Sequence, residues 1–163
     1  MVKITISVLR FFLAVTAFVC LVAGFNVRDG YAQSIETVEP LDFGEATVRR
    51  NDAVYDITIA STGSVSAGAN FDYVTSGKVG VYRLTGAAPL RPITVSVSVD
   101  QQMISAGQQM VIDNFDIDAP PNTDASGEAI INIGARIRTN GNGTNYVGNS
   151  NFIALMTLTV NVL

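Results

Sequence analysis

The stretch FIALMTLTVNVL, residues 152–163, decides most of what this chain can become. Phe152, Ala154, Met156, Leu158, Val160 and Val162 stand at every second position, and Thr157, Thr159 and Asn161 lie between them. Successive side chains of an extended strand point to opposite faces, so this spacing predicts a strand with one buried and one wet face. The same period recurs upstream. ITVSVSV at 93–99 alternates Ile93, Val95, Val97 and Val99 with Thr and Ser. EAIINIGARIRT at 128–139 puts Ala129, Ile131, Ile133, Ala135 and Ile137 on one side. VYDITIA (54–60), ANFDYVTS (69–76), VGVYRLT (79–85) and QMVIDNFDI (109–117) complete the β-rich runs, and no segment after residue 33 has a helical period.

Turn chemistry separates these runs. SGKVG (76–80) and the Pro-rich GAAPLRP (86–92) read as connections, DAPPNTDASGE (118–128) as a long polar loop, and TNGNGTN (139–145) as Asn-Gly turns that tolerate positive φ. Seven or eight short strands so spaced predict an all-β, antiparallel sandwich or barrel.

The N-terminus follows a different rule. Lys3 and Arg10 precede FFLAVTAFVCLVAGF, an uncharged run of 15 residues at 11–25. A membrane-spanning helix needs roughly 20. Gly30 and Ala32 occupy the small-residue positions of a cleavage site, so residues 1–32 read as a secretory signal peptide with a hydrophobic helix, cut after Ala32. An uncleaved membrane anchor is the alternative. A lipoprotein leader is opposed by Val19 before Cys20, and a type IV pilin leader by the placement of the apolar helix before Gly24-Phe25. Residues 33–40, QSIETVEP, read as an unstructured arm, and 41–163 as one β-sandwich domain with no stable membrane span after cleavage.

From residue 33 onward there are seven basic and thirteen acidic residues, a formal charge of −6, and no basic run. A phosphate backbone is repelled, which removes nucleic acid from the partners. Cys20 leaves with the leader, so the domain is expected to hold together by apolar burial without a disulfide.

Histidine and tryptophan are absent. Ser–His–Asp and Cys–His chemistry lack their base, and zinc sites lack their ligands. Ser–Lys chemistry would fall on Lys78, which SGKVG places in a solvated turn. Asp113, Asp116, Asp118 and Asp124 around DNFDIDAPPNTD offer the oxygen ligands a calcium ion takes, but at no calcium-loop spacing. Phe115 and Ile117 are expected to face inward there, leaving Asp116 and Asp118 in water. Glycoside hydrolysis needs a placed carboxylate pair, and no tryptophan platform accompanies the many solvated ones. Tyr55, Tyr73 and Tyr82 lie in strand runs and are expected to pack there, whereas Tyr146 is expected to be exposed. Asn142-Gly143-Thr144 is formally a glycosylation acceptor and reads as a turn. No cofactor and no enzymatic activity are expected.

Five stretches in order carry a resemblance: PLDFGEATV (40–48), SAGANFDYVTSGKVGVYRLTG (66–86), QMVIDNF (109–115), SGEAIINIGARI (126–137) and FIALMTLTVNV (152–162). Over nearly all of 38–163 the chain resembles the bacterial secreted family called domain of unknown function 4402, which looks related to spore-coat U-like and chaperone–usher pilin sandwiches. The resemblance implies an exported, antiparallel immunoglobulin-like or pilin-like β-sandwich with a role in surface structures, and no catalytic residues. Two features depart from the pattern: Val162 and Leu163 stand where a terminal aromatic is common, and the arm is short.

An apolar strand cannot be left half-covered, because an open edge pairs with other chains. Either the domain covers the last strand itself, or a groove beside it accepts a strand from elsewhere. Phe152, Ala154, Met156, Leu158, Val160 and Val162 are the residues expected to carry such pairing. The arm is a poor donor: Ile35 and Val38 are three apart and face opposite sides, and Pro40 interrupts pairing. The expectation is a non-enzymatic structural or adhesive protein, secreted or on the cell surface by way of the periplasm and fimbrial in character. Its partners would be other copies, pilin-like subunits or a periplasmic chaperone. The alternative is a stand-alone extracellular sandwich binding glycans, or adhering through calcium, with the loops 118–128 or 139–145.

Overall fold

The computed structural model describes residues 2–3, 32–105, 108–146 and 150–163. The expected leader helix at 11–25 lies outside the described residues. Twelve strands follow in order: β1 (Val2–Lys3), β2 (Ser34–Glu39), β3 (Glu45–Val48), β4 (Asp56–Ile59), β5 (Val65–Ala67), β6 (Phe71–Thr75), β7 (Gly80–Thr85), β8 (Ile93–Gln101), β9 (Met103–Ser105), β10 (Gln108–Asp118), β11 (Ala129–Thr139) and β12 (Leu155–Val162). All pairings are antiparallel, and no helix occurs among the described residues.

The largest sheet runs β2-β7-β11-β10-β9. β11 is its spine. One edge meets β10 along most of its length, and the other is shared between β7, at 129–133, and β4, at 135–138. β4 can enter there because the β2–β7 pair turns away. The ladder from Ser34↔Thr85 continues through the bridge Asp42↔Lys78 to Val48↔Phe71, so β2–β3 and β6–β7 are two long strands with a common kink. LDFG, residues 41–44, makes the kink. Leu41 and Phe43 are fully buried, the N–H of Gly44 donates to Asp42 Oδ1 at 2.9 Å, and Gly44 has φ +73°. A Cβ on Gly44 would stand 2.3 Å from the carbonyl oxygen of Thr75, so both the φ and the space require glycine.

β8 leaves the ribbon it forms with β12 and continues into the large sheet as β9. The join is Gln102. Its Oε1 accepts from the N–H of Ile112 at 2.9 Å and its Nε2 donates to the carbonyl of Ile112 at 3.4 Å. The side-chain amide thus fills the place of a missing ladder rung. β10 has its own irregularity between Asp113 and Asp116, where Asn114 adopts φ +51°. This bulge reverses the parity: Met110 and Ile112 face the core before it, Phe115 and Ile117 after it.

The β8–β12 ribbon lays its apolar face on the large sheet. Leu158 clusters with Tyr82 of β7 and Ile131 and Ile133 of β11, and Ile93 with Leu84, Ala87 and Ala129. Ahead of β12, Phe152 and Ala154 enter the largest cluster with Met156, Phe43, Ile57, Met110 and Ile137. Each fully buried large side chain here contributes about 1.5–3 kcal/mol.

Three expectations are corrected. The seven apolar runs become β4, β6, β7, β8, β10, β11 and β12, but β1, β2, β3, β5 and β9 are added. Four of these five have only two to four residues, too few for a period to register. SGKVG is a kink and not a turn: Lys78 sits in the bridge to Asp42, and its Nζ meets Glu39 at 3.0 Å. The arm 33–40 is not unstructured, since β2 pairs with β7 from Ser34↔Thr85 to Glu39↔Val81. The pairing is regular from Ser34 to Thr37 and shifts at Val38, and Ile35 faces inward while Val38 faces water.

Candidate functional site: the unpaired edge of the last strand

The six alternating residues of the C-terminal run all face inward, but not equally. Phe152 and Ala154 are 0% exposed, Met156 4% and Leu158 8%, while Val160 and Val162 are half-buried. Burial thus falls toward the C-terminal end. There the facing residues Val95 and Val97 of β8 and Ile35 of β2 are half-buried too. Val95, Val160 and Ile35 border the same two clusters.

Among the described residues β12 pairs with β8 alone. Which backbone groups remain on its other edge follows from the ladder. The N–H of Leu163 donates to the carbonyl of Pro92 at 2.9 Å, and that of Ile93, opposite Val162, donates away from β12 to Pro121 at 3.0 Å. Hydrogen-bonded and non-bonded pairs alternate in an antiparallel ladder. Thr157, Thr159 and Asn161 therefore spend their backbone groups on β8. Met156, Leu158, Val160 and Val162 point theirs outward, spaced about 6.6–6.8 Å apart. The residues that bury their side chains are the ones that present a free backbone row.

The direction of this edge is fixed by connectivity. β8 runs through Gln102 into β9, which is the far end of the large sheet from β2. β12 therefore lies toward β7 and β2, as the shared cluster of Leu158, Tyr82 and Ile35 requires. Among the described residues two unpaired edges, β2 and β12, flank one row of half-buried apolar side chains. Tyr82 lies beneath them, and burial pushes its hydroxyl pKa above the ordinary 10.0.

The aspartates considered for calcium go to separate tasks. Asp113 accepts from Arg136 Nε at 2.9 Å and lies 2.5 Å from an Arg138 guanidinium nitrogen. Asp116 Oδ2 accepts from the N–H and hydroxyl of Ser61 at 2.8 and 3.0 Å. Asp124 Oδ1 accepts from the N–H groups of Ser126 and Glu128 within its own turn. Asp118 ends β10, exposed. No group of three or more potential metal ligands gathers among the described residues. Loops 86–92 and 118–128 are zipped together instead, with Thr123 donating to the carbonyl of Ala88 and accepting from the N–H of Arg91.

Tyr146 is corrected: it is half-buried, not exposed. Its ring meets Phe152 edge-on at 5.7 Å, its hydroxyl donates to the carbonyl of Gln109 at 2.8 Å, and burial raises its pKa. The loop before it is held by Asn51, which no motif or spacing singles out. Asn51 is 2% exposed; its Nδ2 donates to Asn140, Asn142 and the carbonyl of Thr144, and its Oδ1 accepts from the N–H of Gly141. Asn142 Oδ1 also accepts from the N–H of Thr144 at 2.9 Å, so the acceptor triplet is a turn held by its own side chain.

These features define an all-β, antiparallel domain whose last strand, among the described residues, pairs on one edge only. The chain belongs to the family described as domain of unknown function (DUF4402), whose match spans residues 34–161. No curated protein and no solved structure matches it.

Proposed function

We propose that this chain is an exported, non-enzymatic structural protein of the cell surface that works by strand pairing. The curled sheet and the β8–β12 ribbon form the two layers of an immunoglobulin-like sandwich, and the groove between β2 and β12 takes an extended strand from another chain. One observation carries the reading: β12 is apolar on alternate positions and, among the described residues, pairs on one edge only, beside half-buried Val160, Val162 and Ile35. Its outward backbone row supplies the hydrogen bonds and the valines the apolar contact that β-strand addition uses. The chain's own arm does not serve as donor, because β2 is engaged with β7. The export signal read at 1–32 and the pilin-like order of motifs support the surface location. Glycan or calcium adhesion draws no support from the aspartates, which are divided among different partners.

The test is site-specific photocrosslinking in cells expressing the full chain, with a photoreactive amino acid at position 159 of β12 or at exposed Thr94 of β8. Adducts to another polypeptide from position 159 alone, in the envelope fraction, are expected. A chain confined to the cytoplasm, or equal yields from both positions, overturns the reading.

A further inference from the structure

We infer that the strand received by the β12 edge is β12 of a second copy, paired antiparallel about Thr159; this rests on the strand-pairing reading above. Charge comes first. β12 is the one described strand of more than three residues without a charged side chain. The chain from residue 33 carries −6, and its other edge beside the groove bears Glu36 and Glu39. Two copies of so acidic a chain repel each other over most approaches, and least along this neutral edge.

Self-complementarity comes second. The outward backbone groups belong to Met156, Leu158, Val160 and Val162, so a partner strand must align even positions with even positions. The register that centres Thr159 on Thr159 places Leu158 against Val160 of the second copy and Met156 against Val162. All four outward positions of each strand then find hydrogen-bonding partners. The well-buried Leu158 and Met156 of one copy come beside the half-buried valines of the other. That is where the fold leaves apolar surface uncovered. On the outer face Thr159 meets Thr159, and Thr157 meets Asn161, neutral pairs that can hydrogen-bond across strands. The ribbons then join as β8-β12-β12-β8 across a two-fold axis, an isologous contact that closes on itself.

The experiment uses the full chain, exported and purified, in a Cys20→Ser background so that an introduced thiol is the sole one. Thr159→Cys places two thiols at directly opposed, non-hydrogen-bonded positions, with Cα atoms about 4.5 Å apart, within disulfide reach. A disulfide-linked dimer is expected from Thr159→Cys. Little is expected from Thr157→Cys or Asn161→Cys alone, and a mixed dimer when those two are combined. Sedimentation supplies a second readout on chains whose circular dichroism is unchanged. The unmodified protein should run as a dimer, and Thr159→Lys should weaken it by up to about fivefold. Mixing Thr159→Lys with Thr159→Glu should restore it. A monomer at all concentrations, or disulfide yields equal at 157, 159 and 161, overturns the second copy as occupant. If photoadducts from position 159 then join a different polypeptide, strand pairing stands and only the self-pairing is wrong. If no adduct forms, both fall.

Discussion

The two edges beside the groove are built on opposite plans. β2 carries Glu36 and Glu39, a bulge at Val38, and Pro40 directly after it, and its carboxylates meet Arg83 at 3.8 Å and Lys78 at 3.0 Å on the neighbouring strands' side. Charge, bulge and proline are the devices by which an exposed strand avoids pairing with other chains. β12, at 155–162, has none of them: its outward residues between Met156 and Val162 are Thr157, Thr159 and Asn161, and its ladder with β8 is regular from Met156 to the end. One molecule thus holds a guarded and an unguarded edge side by side. The chain therefore tolerates contact with another strand at β12 and resists it at β2.

The largest effect expected separates the strands by how much core each supplies. Leu158→Ala removes a side chain that is 8% exposed and packed on Tyr82, Ile131 and Ile133, and should cost about 2–4 kcal/mol in urea unfolding. Ile35→Ala on β2 should cost roughly half as much, because part of that side chain already lies in water. Equal losses would mean that β2 is as integral to the core as β12, and the contrast would fail.

Proline comes next, because it distinguishes the two sides of one strand. At Thr159 it removes an N–H that bonds β8, breaking the ladder from within, and should destabilise the fold the more of the two. At Val160 it removes an N–H of the open edge, where proline is tolerated, so the fold should survive with a smaller loss. Association through β12 should vanish in Val160→Pro all the same. Hydrogen exchange checks the premise directly: amides of Leu158, Val160 and Val162 should be protected only in the assembled state, and that of Thr159 in both.

How much of this contrast the sequence disclosed depends on the length of each regular stretch. Period-two burial in β12, β8 and β11 was legible because eight to eleven residues repeat one rule. The inward turn of Phe115 and Ile117 was legible too, although the bulge at Asn114 that produces it was not. β2 was hidden for another reason: its inward positions are Ile35, Thr37 and Glu39, so only one of the three is apolar and no apolar period registers. Lys78 was misplaced because a glycine-flanked lysine reads as a turn, and only a partner 36 positions away, Asp42, makes it a bridge. The six residues of the candidate site were named from their spacing. That the backbones of four of them, Met156, Leu158, Val160 and Val162, form the open row could not be, because it depends on which edge β8 occupies, and Phe152 and Ala154 lie ahead of the strand.

A medium effect lies between the edges. Tyr82 stands opposite Thr37 of β2 and clusters with Leu158 of β12. Burial raises its folded-state pKa above 10.0, so the stability it contributes is complete below pH 10 and is lost as pH rises through the folded value. Tyr82→Phe should cost about 1 kcal/mol at neutral pH for the hydrogen bond that its hydroxyl makes with the Leu41 backbone. It should also flatten the decline in unfolding free energy above pH 10. Some decline remains, because Tyr146 is likewise buried and raised. An unchanged alkaline slope would place Tyr82 in water, with the groove open down to its ring.

The smallest effect on folding carries the sharpest comparison. Glu36→Gln with Glu39→Gln removes two exposed ion pairs, whose side chains are 62% and 40% accessible at the glutamates. Such pairs contribute under about 1 kcal/mol each and are screened by salt. The double variant should therefore unfold within about 1 kcal/mol of the parent in 0.15 M salt. Its colloidal behaviour should change far more than its stability, because the charges guard an edge and do not hold up the fold. Light scattering should show growth beyond the dimer in the double variant, and no growth when Thr159→Lys is added to guard β12 as well. If the double variant stays dimeric over the same concentration range, the bulge at Val38 and Pro40 are sufficient guards by themselves, and charge is not what separates the two edges.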